Sequence, residues 1–224
     1  MAFFVDRVDA GKRLASALKN FSSKKGIVLS IPRGGVVVGY MIAKTLNLPL
    51  DIIIPRKIGA PDNPELAIGA VAEDGTAILD QNLIKYLGVS REYVIEETER
   101  QKQEIKRRLK LYRQDASYAD LKGLDVIVVD DGIATGSTMK AALASVKNRG
   151  ASSITVAVPV GPPSTIEELE KMADRVVCLF TPDFFQAIGE FYRDFSQTSD
   201  EDVIGLLLEN KRNLDKKSEG MVMV

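Results

Sequence analysis

The chain alternates short apolar runs rich in β-branched residues with longer stretches of helical periodicity. Five such runs stand out, at residues 26–31, 50–54, 126–129, 154–160 and 175–180. Runs that are apolar at nearly every position are typical of strands buried on both faces of a sheet. The alternation therefore predicts an α/β fold with a mostly parallel central sheet flanked by helices.

Helical periodicity fills most of the remaining chain. It predicts helices over residues 6–20, 36–46, 90–112, 137–148, 164–172 and 200–208. Ser90 is placed to N-cap the longest of them, and the charge run that follows is interpreted as a solvated face because Glu104 and Arg108 form an i,i+4 pair. The apolar face of this helix is predicted to carry Val94, Ile95, Thr98, Ile105, Leu109 and Tyr112.

Three segments break this pattern. Residues 56–64 are so rich in Gly and Pro that we expect an irregular loop. Asp74-Gly75 stands between two β-like runs, 67–72 and 76–79, and predicts a hairpin. The tail 211–224 is polar and expected to fray. No repeat or low-complexity linker divides the chain, so we predict one domain spanning residues 1–224.

Composition excludes several function classes. The chain has no histidine, which rules out Ser-His-Asp and Cys-His triads, histidine-ligated zinc and imidazole acid–base catalysis. Thirty basic and 31 acidic residues give a net charge of −1, so no global field favours nucleic acid or a membrane surface. Any chemistry must use carboxylates, Lys, Arg, hydroxyls, backbone amides or a substrate-borne metal.

The cysteine content, the charged first residues and the lack of a long apolar run predict a cytoplasmic protein. Cys178 is the single cysteine, which excludes an intrachain disulfide and fits a reducing compartment. The first residues are charged too early for a signal peptide. No apolar run approaches the roughly 20 residues that span a bilayer, so no membrane partner is expected.

The most informative stretch is VIVVDDGIATGST, residues 126–138. Asp130 and Asp131 follow a buried strand, at the strand end where α/β sheets bind ligands. The helix that follows offers free N–H groups and a positive dipole end to a phosphate, with hydroxyls nearby. Paired carboxylates suit sugar hydroxyls or a divalent cation, so the pattern predicts a phosphorylated sugar. The alternative is an ordinary strand–loop–helix connection with two solvated aspartates.

This stretch resembles the signature of type I phosphoribosyltransferases, which bind 5-phosphoribosyl 1-pyrophosphate (PRPP). The resemblance implies that Asp130 and Asp131 hold the ribose 2- and 3-hydroxyls. It further implies a 5-phosphate cradle at Ala134, Thr135, Gly136, Ser137 and Thr138. It also implies Mg²⁺ as cofactor, held mainly through PRPP and water, with Asp130 as the one candidate protein ligand.

The family has a pyrophosphate loop after its first core strand, and IPRGG occupies that place here. Arg33 supplies a bidentate charge, while Gly34 and Gly35 let amides converge on an anion. Arg56 and Lys57 follow the neighbouring strand and are predicted to assist. The candidate catalytic residues are therefore Asp130, Asp131, Arg33 and Lys57. A Gly-rich turn with surface cations is the structural alternative.

Two further features follow from the resemblance. Residues 57–66 are the candidate for the family's closing loop. Residues 180–195 hold 6 of the 14 aromatics and, with the N-terminal segment, are expected to form a small hood in which Phe184 and Phe185 contact the acceptor base. Packing of the hood or a dimer contact explains these aromatics equally well. Thr181-Pro182-Asp183-Phe184 faintly resembles 6-oxopurine enzymes, but Ala134 stands where those enzymes carry an acidic general base.

Nearly the whole chain resembles a group of small phosphoribosyltransferases whose acceptor the resemblance does not supply. It implies transfer of the 5-phosphoribosyl group from Mg-PRPP to a nitrogen nucleophile, with a nucleobase as the expected acceptor, in a homodimer. Without histidine, a general base is Asp131 or Asp183, or the nucleophile needs none. The alternative from another class is a regulator that senses PRPP without turning it over.

Overall fold

The computed structural model describes residues 3–21, 25–113 and 119–222. Its strands are β1 Gly26–Ser30, β2 Leu50–Ile52, β3 Arg56–Ala60, β4 Asn63–Val71, β5 Ala77–Leu79, β6 Asp125–Val129, β7 Ser153–Val160 and β8 Arg175–Phe180. Its α-helices are α1 Arg7–Ala17, α2 Gly34–Leu46, α3 Gln81–Tyr86, α4 Arg91–Arg113, α5 Ser137–Asn148, α6 Pro163–Glu170 and α7 Asp200–Val222. A short 3-10 helix covers Ile188–Phe191.

The central sheet has five parallel strands in the order β2-β1-β6-β7-β8. This confirms the predicted α/β fold with a parallel sheet flanked by helices. The strand order reverses between β1 and β6, where open α/β sheets bind ligands. Ser30 pairs with Val129 at the carboxyl ends of these two strands. The register thus brings the loops after β1 and β6 side by side.

Alternate residues of the central strands supply two separate cores. In β1, Val28 faces the core built with α1, α2, α4 and α7, whereas Ile27 and Leu29 face the core built with α5 and α6. This period of two follows from the pleat of the strand. Because both faces are covered, the strands are apolar at successive positions, as their sequence runs predicted.

A second sheet of three antiparallel strands, β3-β4-β5, holds the segment after β2. The predicted β4–β5 hairpin is confirmed, but the expectation of an irregular loop over 56–64 is wrong. Ala60 pairs with Asn63, so Pro61 and Asp62 form a two-residue turn. The register shifts between Ile58 and Ala60, where β4 bulges around Pro64. The proline and glycine residues therefore lie in the turn and the bulge, where they do not interrupt a ladder.

Helix α7 is longer than predicted and continues through much of the polar tail, while residues 223–224 lie outside the described part of the chain. Its apolar residues pack on the core near β2, the edge strand of the central sheet. The buried amide of Asn210 accepts a hydrogen bond from Leu50 N (2.9 Å) and donates one to Leu48 O (3.2 Å). A polar tail stays helical because its inner face covers a sheet edge. The short helix α3 was not predicted.

The N-terminal segment runs beside residues 191–194. The amides of Phe3 and Phe4 donate to Phe191 O, and Arg193 N donates back to Phe4 O (2.8–2.9 Å). The aromatic rings of both segments pack together over the end of β8, with Phe3 stacked on Phe180 at 4.6 Å. Among the described helices, none has both the length and the apolar character needed to cross a bilayer.

Candidate functional site

A cleft of about 510 Å³ opens at the carboxyl ends of β1 and β6. One side is formed by the loops after these strands, and the other by the β3–β4 hairpin and α4. It gathers most charged residues predicted from the sequence, namely Arg33, Arg56, Lys57, Asp130 and Asp131, with Gly34 and Thr138. A second cavity of about 540 Å³, between α1 and α7, contains none of the predicted site residues.

The acidic pair lies at the end of β6. Asp130 Oδ1 accepts a hydrogen bond from Asp131 N (2.8 Å), and Asp131 Oδ2 lies 2.6 Å from Arg7 Nε. The surrounding protein raises the pKa of Asp130 well above its usual range through desolvation, and the charge of Asp131 adds to the shift. Asp130 also lines the cleft, so its carboxyl group can accept a hydrogen bond from a hydroxyl group of a ligand.

The loop after β1 leads directly into α2. Ile31 N donates to Val129 O (2.8 Å), which ties this loop to β6, and the peptide bond between Pro32 and Arg33 is cis. Gly34 is the first residue of α2, so its amide belongs to the positive end of the helix. A side chain at this position would place Cβ 1.9 Å from Asp131 Oδ2. A larger residue here would therefore displace the Asp131 carboxylate from its position.

The predicted phosphate loop follows the acidic pair. Gly136 adopts φ +71°, a left-handed conformation that favours glycine, and N-caps α5. Thr135 Oγ1 and Ser137 Oγ lie 3.1 Å apart, and Ala134 O accepts a hydrogen bond from Thr165 Oγ1 (2.8 Å). Thr138 lines the cleft itself. The first-turn amides of α5 lack intrahelical partners and are available to an anion.

The sequence did not predict the wall that α4 contributes. Gln101 accepts a hydrogen bond from Arg56 Nε (3.0 Å) and donates to Glu97 Oε1 (2.7 Å), which in turn binds Arg100. Burial lowers the pKa of Arg56, and the nearby charge of Arg108 lowers it further. Crowded guanidinium groups beside a cleft favour a polyanionic ligand.

Part of this helix was therefore misread as a solvated face. Glu97 and Gln101 are buried among the apolar residues Val94 and Ile105, whereas Ile95, predicted to be buried, is 54% exposed. The available signal was the i,i+4 spacing of Glu97 and Gln101 inside the apolar stripe, since a polar pair there must find partners.

The aromatic residues predicted to contact an acceptor do not line this cleft. Phe184 is 92% exposed, and Phe185 stacks on Phe191 with ring centroids 5.4 Å apart. Asp183 is also exposed and outside the cleft lining. Tyr93 of α4 is the aromatic residue at the cleft, and its hydroxyl donates to Gly59 O (3.1 Å) in the β3–β4 hairpin. Movement of residues 57–66 as a lid stays a prediction.

The acidic residues of the cleft fit a divalent cation that binds together with a phosphorylated substrate. Among the described residues, no group of three or more carboxylates or thiols is arranged to hold a metal. Within the acidic pair, Arg7 binds Asp131, whereas the side chain of Asp130 accepts a backbone hydrogen bond and lines the cleft. Mg²⁺ is commonly held by one or two carboxylates together with substrate phosphates and water, so Asp130 fits that role.

Comparison with known proteins places this geometry in context. The sequence model of the phosphoribosyl transferase domain family matches residues 7–196. Two Mycobacterium tuberculosis proteins, from strains CDC 1551 and H37Rv, are each named "putative phosphoribosyl transferase" and are 42% identical to this chain over 207 residues. The match covers 92% of this chain and 47% of each relative, so the chain spans about half their length.

A crystal structure of TT1426 from Thermus thermophilus is similar in both sequence and fold. It is 43% identical, with a TM-score of 0.80, and the match covers 93% of this chain and 99% of that chain. The segment matched by the family model contains every residue that lines the cleft.

Proposed function

Since the chain belongs to the phosphoribosyl transferase domain family, we propose that it transfers the 5-phosphoribosyl group of Mg-PRPP to a nitrogen nucleophile and releases pyrophosphate. The observation that carries this proposal is the cleft in which an acidic pair meets two helix N-termini and a basic wall. Sugar hydroxyls, phosphate and pyrophosphate each have a chemically matched surface there.

The chain would act mainly by positioning. Asp130 and Asp131 accept hydrogen bonds from the ribose hydroxyls, and residues 134–138 hold the 5-phosphate. Arg33, the Gly34 and Gly35 amides, Arg56 and Lys57 hold the leaving pyrophosphate. The bond from C1 to the pyrophosphate oxygen breaks as the C1–N bond forms, and its electron pair leaves with pyrophosphate. Fixed cations stabilise that developing charge.

Mg²⁺, when bound with PRPP, would add further positive charge at the pyrophosphate, with Asp130 as its candidate protein ligand. Asp183 lies outside the cleft lining, and one oxygen of Asp131 is bound by Arg7. We therefore favour a nucleophile that attacks without a general base from this chain.

The acceptor, assembly and location belong to the same proposal. A small nitrogenous base fits the family, and Phe184 and Phe185 would contact it only after moving to the cleft. A homodimer is proposed by analogy with the family, and sedimentation of the purified protein tests it. A cytoplasmic setting is proposed from the single cysteine, whose pKa burial raises to about 11, leaving the thiol protonated.

Calorimetric titration with PRPP and Mg²⁺ tests the site. We expect the double variant Asp130→Asn, Asp131→Asn to lose at least about a hundredfold in PRPP affinity, because two hydrogen bonds to charged groups are each worth ~1.5–3 kcal/mol. Because Asp131→Asn also removes the carboxylate partner of the mostly buried Arg7, we expect a lower thermal unfolding midpoint, and the titration is made at a temperature at which the variant is folded. A matched control, Glu167→Gln with Glu170→Gln on the exposed face of α6, removes the same charge elsewhere. Unchanged PRPP affinity in the aspartate variant would overturn the site assignment.

Pyrophosphate release, assayed with the PRPP complex and a panel of nitrogenous bases, tests turnover. Release with one base would establish a transferase and name its acceptor. Tight binding without release from any base would favour the alternative of a PRPP-sensing regulator.

A further inference from the structure

Arg7, the first residue of α1, makes three side-chain contacts, one of which is with the acidic pair. Its Nε lies 2.6 Å from Asp131 Oδ2, and its Nη1 donates to Ser196 O (2.7 Å). Its guanidinium lies over the Phe195 ring, 3.8 Å from the centroid. The side chains of Arg7 and Asp131 are 12% and 13% exposed. The guanidinium of Arg7 is thus held between the loop after β6 and the adjacent residues Phe195 and Ser196.

Asp131 is held from a second direction as well. The Tyr192 hydroxyl donates to Asp131 O at 2.7 Å. Tyr192 thus holds the backbone carbonyl of Asp131 while Arg7 holds its Oδ2, so both the main chain and the side chain of this residue are fixed. A carboxylate fixed in this way loses little conformational freedom when a hydroxyl binds, which favours affinity.

Gly34 packs directly against the ion pair of Arg7 and Asp131. A Cβ there would lie 1.9 Å from Asp131 Oδ2 and 2.5 Å from Arg7 Nε. The first residue of α2 is therefore a glycine beside an ion pair that joins α1, the loop after β6 and residues 192–196. These three parts contact one another at the rim of the cleft rather than at a distant surface.

Arg13 on the same helix shows what an ordinary surface contact looks like. It pairs with Asp9 at 2.8 Å within the helix, lies over Phe3 and Phe4 at more than 5 Å, and is 44% exposed. It contacts no residue of the cleft lining among these partners. Like Arg7, Arg13 is an arginine of α1 with an acidic partner and aromatic rings nearby, but its partner is Asp9 and not the acidic pair. It therefore serves as a matched control for Arg7.

We propose that Arg7, clamped by Phe195 and Ser196, is a positioning residue that orients the Asp131 carboxylate to accept one ribose hydroxyl of the substrate. This inference rests on the proposed function of the acidic pair. It assigns a role to the aromatic segment 192–196 that differs from acceptor stacking, since Phe195 and Tyr192 fix the ribose-binding carboxylate.

Binding of ribose 5-phosphate and its 2-deoxy and 3-deoxy analogues, measured by calorimetry, tests the inference. In the wild type, removing either hydroxyl should weaken binding. In Arg7→Gln, we expect ribose 5-phosphate to bind about tenfold more weakly, corresponding to roughly 1.4 kcal/mol. One of the two deoxy analogues should bind the variant almost as well as it binds the wild type, because the hydroxyl served by Asp131 is already missing. Arg13→Gln should leave all three affinities unchanged.

The outcomes separate the inference from its premise. If the wild type binds none of the three sugars, the proposed function of the site fails. If the wild type discriminates among them but Arg7→Gln loses equal affinity for all three, Arg7 is merely structural and the inference is overturned. Should Arg7→Gln not fold, Phe195→Leu keeps the ion pair but removes the clamp, and it should show the same selective loss to a smaller extent. Unaltered selectivity in Phe195→Leu would then overturn the inference.

Discussion

At the scale of single residues, some buried side chains orient the cleft-lining side chains through hydrogen bonds. Gln101 is the clearest case on the basic wall, because its amide accepts from Arg56 and donates to Glu97 while itself buried. It fixes the direction of the Arg56 guanidinium at the cleft. A group of this kind contacts no substrate in the proposed arrangement but sets the position of one that does.

Replacement of Gln101 by leucine keeps the volume and removes both hydrogen bonds. We expect Gln101→Leu to lower affinity for Mg-pyrophosphate about three- to tenfold and to lower the free energy of unfolding by about 2 kcal/mol, because two hydrogen bonds of roughly 1 kcal/mol each are lost. Gln103→Leu, at an exposed position of α4, is the matched control. Titration calorimetry and urea unfolding measure the two effects, and equal pyrophosphate affinity in both variants would contradict this role.

At the scale of secondary-structure elements, α2 and α5 place their N-termini at the cleft, and α2 also packs closely on the central sheet. Helix α2 lies against β1 so tightly that a Cβ on Gly39 would be 1.8 Å from Ser30 Oγ. Helix α7 has a glycine as well, but Gly205 has nothing within 4 Å of its added Cβ. Glycine thus allows α2 to pack closely on β1 at position 39, whereas no packing contact requires glycine at position 205 of α7.

These two glycines should respond to alanine with opposite signs. Gly205→Ala removes backbone freedom without a clash and is expected to raise the free energy of unfolding by about 0.5–1 kcal/mol. Gly39→Ala gains the same helix propensity, but its Cβ would displace the buried Ser30 hydroxyl and crowd Ser30 Cβ at 3.1 Å, so it should lower the free energy of unfolding by roughly 1–3 kcal/mol. Urea unfolding of both variants checks this, and a shift of the same sign in both would show that packing at Gly39 has been misjudged.

At the scale of the whole molecule, a buried charged network joins the two sheets. Glu73, just after β4, lies 2.6 Å from Arg149 and 3.9 Å from Arg113, which also binds Asp51 of β2. Glu73 Oε2 is buried without a hydrogen bond among the described residues. Desolvation therefore outweighs the two cations and raises the pKa of Glu73 from 4.5 to about 6, with the charge of Asp51 adding to the shift.

This shift predicts a dependence of stability on pH. The folded state binds a proton at Glu73 more tightly than the unfolded state, so the free energy of unfolding falls as pH rises from 4.5 to 6. The fall attributable to Glu73 is about 2 kcal/mol, and it is complete above the folded pKa. Urea unfolding of the wild type and Glu73→Gln between pH 4 and 8 should show a stability difference that changes only in this window. Parallel profiles would contradict the shift.

From the amino-acid sequence we could predict the parallel α/β sheet, the helix starts near Ser90 and Ser137, and the position of Asp130 and Asp131 at a strand end. These features follow from periodicity and short motifs, which act over a few neighbouring residues. The folded chain was needed to show that residues 56–71 form a hairpin, that α4 forms a wall of the cleft, and that Arg7 binds an aspartate 124 positions away. Such contacts depend on how distant elements pack. The spacing of Glu97 and Gln101 signals a buried polar pair on α4, but no local pattern identifies the partners of that pair.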